Sequence, residues 1–281
     1  MITEIRWKER ARFDKSIKKI KNMKLKYSNA LVLLSILLIG IDPFSTEAQD
    51  NKAVNQIKIG SDGVIYLEDF QHYKTGTIPD EWYNRDGDAI PALYDDDIKD
   101  EYTYKVMREG SNKYLRFEGT GAKHLNFPLL DKEINIHETP ILKWKWRIHS
   151  TPVGGDESSN NSNDSAASVY MVMDTGRVLF QTVPKSIRYT WSSTLPKGKE
   201  ISRFFGNQKI IVLGTGNEHN GEWMTFERNV VEDYKRLFGE TPPEQPIAML
   251  ILSSGNSTNS LAKADYDDFE LHPVKNSASA N

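Results

Sequence analysis

Three groups of side chains in this 281-residue sequence have the types and spacing to do chemistry. The first is Asn217-Glu218-His219-Asn220-Gly221-Glu222-Trp223. Glu218 and Glu222 could form a carboxylate pair with His219 between them, which are residue types for acid–base work on a glycosidic bond. The Asn220-Gly221 pair favours a plainer reading, a polar hairpin loop between two strands. The second group lies on Ile141-Leu-Lys-Trp-Lys-Trp-Arg-Ile148. Period-two alternation puts Trp144, Trp146 and Ile148 on one face and Lys143, Lys145 and Arg147 on the other. If the polar face is a concave binding surface, Lys145 and Arg147 donate to sugar hydroxyls or uronate carboxylates, and Tyr170, Trp191 and Arg228 join them. The alternative is a half-exposed strand with tryptophans in the core and cations in water. Trp191 and Trp223 fit a core equally well. The third group is Glu68 with Asp267 and Asp268, hard oxygen donors on the first and last strands, which suit a structural Ca²⁺; a solvated acidic edge is the alternative.

Other chemistries are excluded by what is missing. The chain has no cysteine, which removes thiol catalysis, disulfides and a lipoprotein anchor. Its six histidines are isolated, with no His-x-His or His-Glu-x-x-His pair, so a zinc site is not expected. Gly-x-Ser-x-Gly and the Glu-x-Asp-x-x-Glu pattern of sandwich glucanases are absent. Gly214-Thr-Gly216 lacks the Lys and the helix of a phosphate loop, and Asp95-Asp96-Asp97 lacks EF-hand spacing.

The elements that must position these groups read as strands. Segments 63–70, 113–118, 141–148, 167–173, 188–191, 209–213, 222–227, 248–252 and 267–271 are short, β-rich and separated by turn residues. One helix interrupts them: Asn229 caps it, Glu232 completes a capping box, Gly239 ends it, and Val230, Val231, Tyr234, Leu237 and Phe238 form its buried face. Thr151 to Ser165 reads as a flexible loop. The expected fold is all-β, a two-sheet, jelly-roll-like β-sandwich with one covering helix.

Ahead of this domain the sequence reads as an export signal. Ten Lys or Arg fall between Met1 and Asn29, followed by the apolar run Ala30 to Ile41 and the polar segment DPFSTEAQD. The run is 12 residues, short of the roughly 20 that a bilayer core needs as helix. Cleavage is expected after Ala48, a retained anchor being the alternative, and Met23 offers a second start. The expected organisation is a signal peptide at 1–48, a linker at 49–63, one sandwich domain at 64–272 and a tail at 273–281. Beyond residue 48 there are 26 basic and 34 acidic side chains, a net charge of −8 that argues against nucleic acid or an anionic membrane surface as partner. The expected location is outside the cytoplasm: periplasmic, envelope-associated or secreted.

Several segments together resemble the bacterial domain-of-unknown-function family 3047 (DUF3047): Trp144-Lys-Trp-Arg147, Asn163-Asp-Ser-Ala-Ala-Ser-Val-Tyr170, Tyr189-Thr-Trp191, Trp223, Arg228 to Gly239, Asn256-Ser-Thr258 and Tyr266-Asp-Asp-Phe269. The resemblance covers most of residues 64 to 272. The chain departs from the family pattern at Ser168, where the family has Arg, and at Ser253-Ser254-Gly255, where it has an Asp-rich turn. The resemblance implies an exported β-sandwich and brings no established activity. A broader likeness, to carbohydrate-binding jelly rolls, rests on Glu68-Asp69-Phe70, Gly76-Thr-Ile-Pro79-Asp-Glu-Trp82 and Asp267-Asp268-Phe269. Together these readings point to a non-catalytic domain that binds a glycan or a cell-envelope component. The alternatives are a glycan-active hydrolase or lyase using Glu218, His219 and Glu222, and a structural subunit of an envelope assembly. With the signal removed no stable membrane span remains, and oligomeric state has no sequence signal.

Overall fold

Short strands joined by turns bury apolar surface by stacking sheets face to face, and the chain does so. The computed structural model describes residues 57–79, 81–83, 104–130, 132–174, 177–178, 181–182 and 184–274. The export segment through Ala48, Asp95 to Asp97 and the tail from residue 275 lie outside these residues. No helix among the described residues is long and apolar enough to cross a membrane.

The strands in chain order are β1 (Lys58–Ile59), β2 (Ile65–Glu68), β3 (Tyr104–Glu109), β4 (Asn112–Gly119), β5 (Ala122–Pro128), β6 (Ile141–Ser150), β7 (Ser165–Asp174), β8 (Arg177–Val178) and β9 (Gln181–Thr182). They continue as β10 (Lys185–Ser192), β11 (Glu200–Arg203), β12 (Gln208–Thr215), β13 (Trp223–Asn229), β14 (Ala248–Ser254) and β15 (Ala262–His272). In the first sheet the long β15 pairs β6 along one edge and β4 and β2 along the other; β13, β3 and β1 extend it outward. The second sheet runs β11-β12-β10-β7-β14-β5, antiparallel except for β10 beside β12. β8 and β9 form a separate hairpin. β1 falls within the stretch read as linker and pairs with β2. β3, β5 and β11 add to the strands read from the sequence.

The core is aromatic where the sheets meet. Trp144, Trp146 and Ile148 are fully buried, as alternation on β6 requires. Trp144 and Trp146 stand edge to face at 5.4 Å, Trp146 meets Trp191 at 6.3 Å, and Trp144 lies 5.5 Å from Tyr189. Residue 214 must be glycine, because a Cβ there would sit 2.2 Å from the Trp191 ring.

The expected helix, α1 (Val230–Phe238), is present. The Asn229 side chain accepts from the Glu232 backbone N–H at 3.0 Å, and Gly239 ends the helix in the left-handed region at φ 73°. Val230, Val231 and Tyr234 enter the core. Asp233 ties the helix down, accepting from Tyr189 at 3.0 Å and from Arg228 at 2.9 and 2.6 Å. The second sheet differs from a half-exposed layer: nearly every residue of β7, β10 and β14 is buried on both faces. The 151–165 loop is correspondingly not a loose connection, since it carries the fully buried Glu157 and Asp164.

Candidate functional site

Adjacent strands β13, β6, β15 and β4 turn alternate residues away from the core, and their register sets one transverse row on the outer face of the first sheet. Trp223 lies opposite Arg147, Arg147 opposite Asp265, Asp265 opposite Arg116, and Arg116 opposite Lys105 on β3. The Asp265 carboxylate is fully buried in this row. It accepts from Arg116 Nε at 2.6 Å and Nη2 at 2.9 Å and from Arg147 Nε at 2.8 Å, while His149 Nε2 lies 2.8 Å away. Burial pushes its pKa upward, but the bonds from Arg116, His149 and Arg147 more than offset that and hold it below the usual carboxylate range.

Arg147 is itself 8 % exposed, because two rings enclose it. Its guanidinium carbon lies 4.5 Å from the Trp223 ring centre and 5.0 Å from that of Tyr114, and the two rings meet edge to face at 5.4 Å. Arg147 Nη1 reaches the largely exposed Glu109 at 2.9 Å. Trp223, Arg116 and His149 are half-buried, so one buried carboxylate is faced by two guanidiniums and an imidazole that partly reach the surface. The neighbouring rows are charge-neutralised: Lys145 pairs with Asp268 at 2.6 Å and Lys143 with Glu270 at 3.0 Å.

Of the five residues expected to share a binding surface, the structure brings together Lys145 and Arg147 and separates the rest. Tyr170 lies on β7 of the other sheet, where the Arg188 guanidinium sits 5.5 Å from its ring centre. Arg188 there donates to Ser168 at 3.0 Å and Ser165 at 2.7 Å. Trp191 turns into the core and donates to the Gly216 carbonyl at 2.9 Å. Arg228 is committed to Asp233 beneath α1. Glu218, His219 and Glu222 occupy an exposed turn, with His219 Nδ1 3.1 Å from Glu222 Oε2. That turn is not a hairpin; it carries the chain from β12 in the second sheet to β13 in the first.

The first and last strands are neighbours as expected, with Glu68 opposite Phe269 on β2 and β15. The calcium clamp expected there meets carboxylates that already have donors from the protein. Glu68 is enclosed by the turn that follows it, accepting from Phe70 N at 2.7 Å, Tyr73 Oη at 3.0 Å and Trp82 Nε1 at 3.0 Å. Burial pushes its pKa up to about 7. Asp267, also raised to about 7 by burial, accepts from Asn112 at 2.7 Å. Among the described residues, Glu68 has Asp69 and His72 as potential co-ligands within 4.8 Å, a group that takes in neither Asp267 nor Asp268.

Sequence reasoning passed over Tyr114, Arg116, His149 and Asp265. Tyr114 and Arg116 alternate with Leu115 and Phe117, so their outward direction was legible; their convergence on Asp265 depends on register between strands far apart in the chain.

A family model described as a protein of unknown function, DUF3047, matches residues 93–270. The sequence matches no curated protein. Among solved structures, the family 11 carbohydrate-binding module of a cellulosomal cellulase of Clostridium thermocellum is similar at 10 % identity, covering 78 % of this chain and 99 % of that one, with TM-score 0.39. The family 30 carbohydrate-binding module of another cellulosomal cellulase of Clostridium thermocellum shows 9 % identity, 62 % and 84 % coverage and TM-score 0.35. A thermostable variant of the Cel12A cellulase of Rhodothermus marinus shows 10 % identity, 59 % and 83 % coverage and TM-score 0.34.

Proposed function

The chain belongs to the DUF3047 family, and from that premise we propose that it is an exported, non-catalytic domain that binds an acidic glycan on the outer face of its first sheet. The observation that carries the reading is Arg147, packed against the rings of Trp223 and Tyr114 beside Arg116, His149 and the buried Asp265. A partly exposed indole offers an apolar face to sugar C–H groups, and ordered guanidinium and imidazole donors suit hydroxyls and carboxylates. The two guanidiniums share the buried Asp265, and Arg147 also holds the largely exposed Glu109, which a ligand carboxylate such as a uronate would displace. Trp223 and Lys105, at the two ends of the row, would set its length.

Binding is favoured over hydrolysis because Glu218, His219 and Glu222 lie on an exposed turn rather than across this row. Export is supported by the order of the first 48 residues: basic, apolar, then Thr46-Glu47-Ala48.

A glycan array holding neutral and uronate-bearing oligosaccharides, probed with the purified protein, tests the reading. The expected result is retention of uronate-bearing oligosaccharides without release of cleaved product, weakened by Trp223→Ala. Absence of binding to every saccharide would overturn it, and release of shortened products would establish catalysis instead.

A further inference from the structure

Burying a carboxylate without a direct ion pair is costly, and the loop joining β6 to β7 does so twice. Glu157 and Asp164 are both fully buried. Neither has an ion-pair partner among the described residues. Glu157 accepts from the hydroxyls of Thr190 at 3.0 Å and Ser192 at 2.6 Å. Asp164 Oδ2 accepts from Thr258 N at 2.7 Å and Thr258 Oγ1 at 2.9 Å. The loop meets two guanidiniums, and neither donates to these carboxylates: Arg203 donates to the main-chain oxygens of Glu157 at 2.6 Å and Ser159 at 3.0 Å and to the Asn160 side chain at 2.7 Å, and the buried Arg188 donates to Asn163 at 3.2 Å and Ser165 at 2.7 Å on either side of Asp164.

Two atoms are left over. Asp164 Oδ1 is buried without a hydrogen-bond partner among the described residues, and so is the Ser193 hydroxyl. Gly155 shows that the two residues approach one place. A Cβ at that glycine would lie 2.7 Å from the Asp164 carbonyl oxygen and 2.9 Å from Ser193 Oγ, so oxygen atoms converge where only a glycine leaves room. The turn after β14 borders Asp164 through Thr258, whose Oγ1 lies 2.8 Å from Ser260 Oγ.

We propose that this loop holds a Ca²⁺ ion, ligated by Asp164 Oδ1 and Ser193 Oγ, with the negative charge of Glu157 adding to the attraction. The surrounding donors are hard oxygens from a carboxylate, hydroxyls and main-chain carbonyls, the set Ca²⁺ prefers. An irregular loop accommodates its flexible coordination better than the strict octahedron of Mg²⁺. The cation supplies the direct ion pair that neither guanidinium makes and joins the β6–β7 loop to the turn after β10. The inference is independent of glycan binding.

The test uses the full chain stripped with a chelator and titrated with CaCl₂ by calorimetry, with melting curves alongside. The expected result is one Ca²⁺ per chain and a Tm raised by several degrees, reversed by chelator and only weakly reproduced by MgCl₂. Ser193→Ala removes a hydroxyl without a hydrogen-bond partner among the described residues, so it should fold normally and bind Ca²⁺ at least about tenfold more weakly. Asp164→Asn should abolish the binding heat, and Asp268→Asn should leave it unchanged. No binding heat and no Tm shift in the unaltered protein would overturn the proposal. So would undiminished affinity in Ser193→Ala and Asp164→Asn, or a loss confined to Asp268→Asn.

Discussion

Glu68→Gln reads out how a buried carboxylate links folding to pH. In the native protein Glu68 is raised from 4.5 to about 7, with burial the largest cause. Between those values the folded state binds a proton that the unfolded state has released, so stability is fully present below about pH 4.5 and falls as pH rises through about 7. Applied to Glu68 alone, linkage gives a loss of about 2–3 kcal/mol between pH 5 and pH 8. Asp267, raised from 3.8 to about 7, adds a loss of the same sign. Glutamine cannot titrate and so removes the Glu68 share of the slope. It also has one acceptor oxygen for three donors, Phe70 N, Tyr73 Oη and Trp82 Nε1, and its amide must face one of them. That leaves a buried donor unsatisfied and costs about 1–3 kcal/mol at pH 5. Urea unfolding at pH 5, 6, 7 and 8, followed by tryptophan fluorescence, should show the variant less stable at pH 5 and the two proteins converging or crossing by pH 8. Parallel pH profiles with a constant offset would refute the reasoning.

Three further outcomes are expected. Asn229→Ala removes the acceptor of the Glu232 N–H and should cost about 1 kcal/mol in urea unfolding. Arg147→Ala leaves Asp265 with Arg116 and His149 alone and opens the space between Tyr114 and Trp223. It should destabilise the fold by about 3 kcal/mol, so loss of binding in that variant must be read beside its melting curve. Mass spectrometry of an envelope fraction should find the mature N-terminus at or near Gln49; a dominant intact N-terminal segment would show that the signal is retained.

The sequence by itself determined whatever depends on neighbours in the chain. Alternation on Ile141 to Ile148 decided that Trp144 and Trp146 face the core and Arg147 the outside, because successive strand residues point to opposite faces whatever lies beyond them. Asn229, Glu232 and Gly239 marked the ends of α1, since capping is settled within one turn. What only tertiary structure decided is which outward residues meet. Arg116 and Arg147 converge on Asp265, some 149 and 118 positions away along the chain, through strand order and register. The composition of residues 151–165 reads as flexible, because Gly, Ser, Asn and Asp are turn formers. Packing against β10 and the turn after β14 instead buries Glu157 and Asp164. Glu68 shows the same division: its place on the first strand was legible, but the turn that folds Tyr73 and Trp82 back onto its carboxylate, and so raises its pKa, exists only once the chain has closed around it.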